Sequence, residues 1–346
     1  MFDTKTGEFK TSGDFWQAAR KFFTGGIPDG RIESLRKAAL AEGTDSTGGV
    51  LVPTDWANEV YGAAMEDAIV RPRALVLPMS SDTLDVPVLV DGTRATNIFG
   101  GVTLTMVEEG GDMYAVNGGP AFGRLRLTAK KGVATCFVSN ELAADARAFG
   151  PFMSQAFGRA IRFLEDDMFI NGTGSGQPLG ILNSGAMISL ARTTGFGAIT
   201  TDDFANMAER LAPGCWSNAV WLINQTVLSS LANDATSGAN AFGIITLDSM
   251  TAMGKPIIVT EHCAASGTIG DVILADFSQY LIGDRSLVVA ASADASYSSN
   301  TYGFLQGQTC WKMTLRIDGQ PIVSAAYTPK RGGSTVSPFV VLTSAS

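Results

Sequence analysis

Residues 149–170 read FGPFMSQAFGRAIRFLEDDMFI, and the fold class turns on them. Apolar side chains recur at Phe149, Phe152, Met153, Ala156, Phe157, Ala160, Ile161, Leu164 and Met168. This is the i, i+3, i+4, i+7 repeat of a helix with one buried face. Ser154, Gln155, Arg159, Arg162, Glu165 and Asp166 take the other face. Pro151 suits a first helical turn, and Asn171-Gly172 supplies the stop. At 1.5 Å per residue the expected helix is about 30 Å long. Its C-terminal end carries Glu165, Asp166 and Asp167, where the helix dipole disfavours negative charge. Basic groups from outside the helix are expected beside them, from another copy of the chain or from the base of a hairpin.

The whole chain has 346 residues, enough for a large core and two lobes. At 45% hydrophobic and 17% charged residues it has the composition of a soluble globular protein. A net charge of −8 argues against a chain-wide nucleic-acid grip. Cys136, Cys215, Cys263 and Cys310 are far apart and form neither a zinc spacing nor a disulfide framework. That usage fits a reducing cytosol. The opening MFDTKTGEFK has no apolar core of a signal peptide. No run of about 18 apolar residues suggests a membrane span.

Upstream of the long helix, residues 1–48 form two short amphipathic stretches, 15–23 and 32–41, separated by glycines. Such a segment buries little surface on itself and reads either as a loose tail or as an arm that orders on a partner. A helix is expected at 56–69, closed by Arg71-Pro72-Arg73, and a strand at 75–77. Leu84, Val86, Val88 and Val90 alternate with polar positions, with Pro87 pointing to a sheet edge. Leu125 and Leu127 alternate with Arg124, Arg126 and Thr128. Between them lies a glycine-rich polar stretch, so 84–134 reads as one long two-stranded hairpin. A hairpin of that length is not stable alone in water and needs a surface to lie on. Its distal part carries Glu108, Glu109 and Asp112, and its base Arg124, Arg126, Lys130 and Lys131. These acidic and basic groups, with Glu165, Asp166 and Asp167, are the expected subunit-contact residues.

Residues 133–138 read as a strand, followed by a short helix from the Ser139 cap to Ala146. After the 171–180 loop the pattern becomes a compact α+β lobe. Helices are expected at 202–211 and 226–232, and strands at 219–223, 255–259 and 271–275. A strand pair is expected across 280–290, turning at Gly283-Asp284. Trp311, Met313, Leu315 and Ile317 alternate with polar residues up to an Asp318-Gly319 turn. Residues 336–342 form a last strand.

Catalytic readings find little footing. NGTGSG at 171–176 matches neither phosphate-loop pattern and follows a helix rather than a strand. Asn171-Gly172-Thr173 is an incidental glycosylation sequon. His262 is the single histidine, so a histidine-dependent triad must use it, and no GxSxG elbow accompanies it. The paired carboxylates at 108–109 and 166–167 lack a convergent ligand set for a metal. No catalytic residue, cofactor or metal is expected.

GGVLVP (48–53), VEEGG (107–111), LTAKKGVATCFVSNELAADA (127–146), FLEDDMFINGTGSGQPLGIL (163–182), GKPIIVT (254–260), ADFSQYLIGDR (275–285) and PFVVLT (338–343) carry a resemblance. In this order and spacing they resemble the major capsid proteins of tailed bacteriophages with the Hong Kong 97-type fold, from Gly48 onward. The resemblance implies an α+β chain with an N-terminal arm (1–48) and an extended E-loop hairpin (84–134). It implies a discontinuous P-domain (49–83, 135–179 and 301–346) with a long spine helix, and an A-domain (180–300). The implied function is self-assembly into an icosahedral virion shell enclosing double-stranded viral DNA without sequence-specific binding.

The resemblance implies as partners many copies of the same chain, in hexamers and pentamers, without a membrane. Portal protein, scaffolding protein or protease, and a decoration protein are further expected partners, with assembly in the host cytoplasm. Many family members begin with a scaffolding segment that a protease removes, and here arm-like sequence follows Met1 directly. Some also join a lysine near the E-loop tip covalently to a neighbour. Between Asp85 and Thr128 this chain has no lysine, and arginine stays protonated and cannot replace it. A non-covalent shell is therefore expected. Alternatives are an encapsulin-like or gene-transfer-agent shell of the same fold, and, from another class, a soluble enzyme.

Overall fold

The computed structural model describes residues 18–22, 29–32, 50–51, 68–89, 94, 106, 109, 122–140, 146–193, 199–236, 245–246, 250–292, 296–298, 301–302 and 307–343. The expected helix at 56–69 lies outside them but for its last two residues. The 96–119 stretch, but for Met106 and Glu109, and most of the short helix after Ser139 also lie outside them. Within the expected 15–23 helix, residues 18–22 are helical. The chain divides into two compact units, one of 1–69, 129–165 and 284–317, the other of 70–128, 166–283 and 318–346.

The first unit is built on a twisted antiparallel sheet and a helix. Its strands are β1 (Val50–Leu51), β5 (Lys130–Ser139) and most of β12 (Tyr280–Ser292) and β15 (Gln308–Pro321), in the order β1-β12-β15-β5. β5 and β15 pair over ten positions, from Gln308↔Ser139 to Ile317↔Lys130. Trp311, Met313 and Leu315 are buried on one sheet face, as their alternation requires. The helix α1 (Ala146–Asn171) buries Met153, Phe157 and Ile161. Its Leu164 lies over Gly132 of β5, 3.5 Å from where a methyl would stand. The helix starts earlier than its apolar repeat indicated, so Pro151 falls at its sixth position rather than in its first turn.

The second unit holds a seven-stranded mixed sheet in the order β6-β16-β11-β7-β10-β9-β8. These are β6 (Met187–Ala191), β7 (Val220–Ile223), β8 (Ile245–Thr246), β9 (Thr251–Ala252), β10 (Lys255–Val259), β11 (Val272–Ala275) and β16 (Phe339–Thr343). β7 and β11 are buried at every residue, as uninterrupted apolar runs covered on both faces must be. Against them pack α2 (Thr201–Arg210) and α3 (Leu228–Thr236). Thr200 and Asp203 close a reciprocal capping box at the start of α2. Phe204 tilts onto Trp221 at 4.7 Å, and the Trp221 indole N–H donates to Ala252 O at 3.0 Å.

Also in this unit, β3 (Thr83–Leu89) pairs with β4 (Phe122–Thr128) as a two-stranded ribbon, from Thr83↔Thr128 to Leu89↔Phe122. Its pairing stops at Thr128, so residues 130–134 belong to β5 and not to the hairpin. Two expected turns are instead continuous strand. Gly283 lies within β12. A side chain there would bring its Cβ within 2.5 Å of Met79 Sδ and 2.9 Å of Leu127 Cδ1, so glycine serves close approach rather than a turn. Gly319 lies within β15, where a Cβ would meet the Tyr280 ring at 2.8 Å.

Candidate assembly surface

The ribbon has two unlike faces because side chains alternate along a strand. Leu84, Val86 and Val88 share one face with Leu125 and Leu127, of which Leu127 is fully buried and Leu125 nearly so. Its root is held by hydrogen bonds. The buried Asp318 carboxylate accepts the Thr128 N–H at 2.6 Å and the Gly319 N–H at 2.9 Å. Gln320 Nε2 donates to Arg126 O at 2.8 Å. Tyr280 O–H donates to Leu179 O at 2.8 Å, and burial, with Asp318 nearby, pushes its phenol well above the usual range. Beyond the paired strands, the Arg94 N–H donates to Thr328 O at 2.9 Å and the guanidinium stands 4.0 Å over the Tyr327 ring. The root therefore rests on its own unit.

The other ribbon face is open and polar. Arg126 grips Asp85 through two hydrogen bonds of 2.7 and 3.0 Å, and Arg124 stands 3.5 Å away. That contact holds the Asp85 carboxyl below its ordinary range and Arg126 above its own. Beside the root is a cavity of about 290 Å³, lined by Val88, Leu125, Leu179 and Ile322 with Arg124 and Arg126.

The predicted contact residues scatter. Arg124, Arg126, Lys131 and Glu109 are exposed and Lys130 half-buried, while Glu108 and Asp112 lie outside the described residues. Glu165 and Asp166 point inward, at 2% and 3% exposure. Asp166 Oδ1 accepts the Val70 N–H at 3.1 Å. Asp167 is the exposed member: it accepts from Asn171 Nδ2 at 2.8 Å and lies 3.9 Å from His262 Nδ1. Asp166 and Asp167 thus each meet a hydrogen-bond donor of the same chain. An N–H and an amide can offset a carboxylate at a helix end as a cation does.

His262 sits at that helix end, with its carbonyl accepting from Asn171 Nδ2 at 3.0 Å. Burial pushes the neighbouring Cys263 thiol up to about 12, and Cys215 likewise, the opposite of an activated thiolate. The 171–180 loop folds on itself through a Thr173↔Leu179 bridge and a Gly180 N–H donated to Gly172 O at 2.8 Å. Among the described residues no group of three or more His, Cys, Asp or Glu could hold a metal. No described helix is long and apolar enough to cross a membrane. Sequence reasoning missed the buried Arg192–Asp271 ion pair, with both side chains fully buried, since 79 positions separate its partners. It also missed the Asp318 latch, whose Asp-Gly signature reads as a turn.

The chain matches the Phage capsid family over residues 48–329. It belongs to that family. Among solved structures, this capsid protein is similar to the "Capsid of native GTA particle computed with C5 symmetry". That likeness has 17% identity and a TM-score of 0.57, covering 82% of this chain and 91% of that one. A chain of Mycobacterium phage Adephagia is similar at 17% identity and TM-score 0.55, over 79% of this chain and 89% of that one. Mycobacterium phage Cain gives 18% and 0.54, over 79% and 89%. At such identities these structures show a shared mixed α+β fold. No curated protein matches the chain. The family makes it a virion component, a major capsid protein whose role is structural and whose copies associate into an icosahedral shell.

Proposed function

We propose that many copies of this chain, as hexamers and pentamers, close an icosahedral shell around double-stranded DNA, with no sequence-specific grip on it. In this reading 1–48 is the N-terminal arm and 84–134 the E-loop, whose paired ribbon ends at Thr128 before β5 begins. Residues 49–83, 135–179 and 301–346 form the P-domain around the spine helix α1, and 180–300 the A-domain. The family match over 48–329 carries the reading. The exposed Glu109, Arg124, Arg126, Lys131 and Asp167 are the described groups able to face neighbouring copies. Portal, scaffolding protein or protease, and a decoration protein complete the particle, which assembles in the host cytoplasm. The likeness to a GTA capsid supports a second reading, a gene-transfer-agent shell.

Electron microscopy of the purified protein tests shell formation. Closed particles are the expected result, and a chain that stays at 36.2 kDa under every assembly condition overturns it. Enclosed DNA, rather than protein cargo, separates a phage-type shell from a cargo compartment. Deleting residues 96–119 should leave a folded protein that makes no closed shell, and normal shells from that deletion refute the hairpin's role. With no lysine between Asp85 and Thr128 to attack a neighbour, boiled particles should run as one band near 36.2 kDa. A reductant-resistant ladder of multimers contradicts a non-covalent shell.

A further inference from the structure

β6 is the end strand of the seven-stranded sheet and pairs only with β16, in parallel, from Phe339↔Met187 to Thr343↔Ala191. β16 in turn pairs antiparallel with β11. Register is strongly specified where apolar and polar positions alternate, because a one-residue slip then exposes the apolar set. These strands offer little of that pattern. β11 is VILA and buried throughout, β16 is FVVLT and buried at its first four residues, and β6 is MISLA. A two-residue slip of β6 keeps every side chain on its own face, so the burial pattern does not oppose it.

Charge is scarce around these strands. Arg192 is the one charged residue between Asp167 and Asp202, and none follows Arg331. Apart from His262, Asp271 is the one titratable charge between Glu261 and Asp276. Arg192 follows the last residue of β6 and Asp271 precedes the first of β11. Both side chains are fully buried, and Arg192 Nη2 donates to Asp271 Oδ2. That oxygen also accepts the Gly267 N–H at 2.9 Å. Arg192 Nε, Arg192 Nη1 and Asp271 Oδ1 have no hydrogen-bond partner among the described residues, so the contact is single-pronged.

A buried pair of this kind adds little net stability. Desolvation of both charges offsets their attraction, and neutral residues of similar volume would hold the fold as well. What it supplies is selectivity, since the contact exists in one register only. A two-residue slip would carry Arg192 about 6.6 Å along the strand and leave two buried charges apart. The other ties of β6 discriminate less. Ser337 Oγ donates to Ala186 O, and Asp203 Oδ1 accepts the Thr193 N–H at 2.8 Å. A slipped backbone offers another carbonyl and another N–H in their place.

We infer that the Arg192–Asp271 pair is a register pin, which fixes edge strand β6 two strands away from β11 where the hydrophobic pattern leaves its position open. Arg192 and Asp271 are thus positioning residues of the sheet. The inference is independent of the shell reading.

Methyl NMR of the full-length free subunit tests it. Wild type should give one set of signals, with the strongest contacts joining Ile188 to Val340 and Leu190 to Leu342. Arg192→Met with Asp271→Asn removes both charges and keeps an amide oxygen for the Gly267 N–H. This double variant should fold and show a second set of signals for these four residues, from about a tenth of the molecules or more. In that set the strongest contacts should join Ile188 to Leu342 or Leu190 to Val340. Arg192→Lys keeps a cation for the single-pronged contact and should show one set. One native set in the double variant overturns the inference. A double variant that fails to fold overturns it too, since the pair would then be a stabiliser rather than a selector. Doubling that extends to Val220 and Ile223 of β7 would mean a general loosening, and doubling in Arg192→Lys equal to that of the double variant would mean that charge does not select. Either result overturns the inference.

Discussion

The seven-stranded sheet and the two-stranded ribbon belong to one unit and solve the same problem in opposite ways. In the sheet, β7 and β11 are buried at every position and covered by α2, α3 and the Trp221 cluster. Its buried ion pair, Arg192–Asp271, has both side chains fully enclosed. Among the described side chains of the ribbon only Leu125 and Leu127 are buried, and the ion pair of Asp85 with Arg126 is open to solvent. The sheet is finished by its own chain. The ribbon is finished at its root and left open beyond it, as a subunit that must join others requires. The same contrast appears in the chemistry of the two pairs: one cannot be broken without stranding a buried charge, the other can.

The sharpest way to break this contrast is to truncate one arginine of each pair. Arg192→Ala leaves the Asp271 carboxylate buried without its cation, and should cost roughly 3–5 kcal/mol of stability in a denaturant titration. A loss below about 1 kcal/mol would mean the pair is solvated. Next comes the ribbon's root. Asp318→Ala removes the acceptor of the part-buried Thr128 N–H and the buried Gly319 N–H, at a cost of roughly 1–3 kcal/mol. Hydrogen exchange should localise its effect to 84–89 and 122–128; a uniform loss across the seven-stranded sheet would show that the root is not a separate latch.

The smallest effect belongs to the open pair. Asp85→Asn should leave the neutral-pH unfolding midpoint nearly unchanged. The folded Asp85 carboxyl is held below its unfolded value by Arg126. What the pair contributes is therefore present above the unfolded pKa, about 3.9, and lost as pH falls through the lower folded value. Wild type and Asp85→Asn should converge in acid, and a gap that widens as pH falls contradicts that sign. Thiol labelling adds a check on the closed region. With burial pushing them to about 12, Cys215 and Cys263 should label only on unfolding, and rapid native labelling of either would reveal an opening there.

Period and propensity carried most of the fold. The 3.6-residue repeat located α1 to within a few residues, and the continuous apolar runs located β7, β10 and β11. What misled was local chemistry with a second use. Gly283-Asp284 and Asp318-Gly319 are turn signatures by themselves. Here the glycines let Met79, Leu127 and Tyr280 approach the backbone, and no local window contains those partners. The edge strand β6 was missed because MISLA has neither a clear alternation nor turn signals at both ends. For the assembly surface, the hairpin and its charges were legible as residue types. Which face of β5 they share with β15 became visible only from the strand register.

The most direct test of the division between a finished core and an unfinished ribbon is hydrogen exchange on free subunits and on assembled shells, read peptide by peptide. The account predicts that 220–223 and 272–275 are protected to the same high degree in both. The stretch beyond the paired strands, residues 90–121, should exchange rapidly in the free subunit and slow by an order of magnitude or more on assembly. Equal protection of that stretch in both states would mean that the chain finishes it alone, and the central claim would fail.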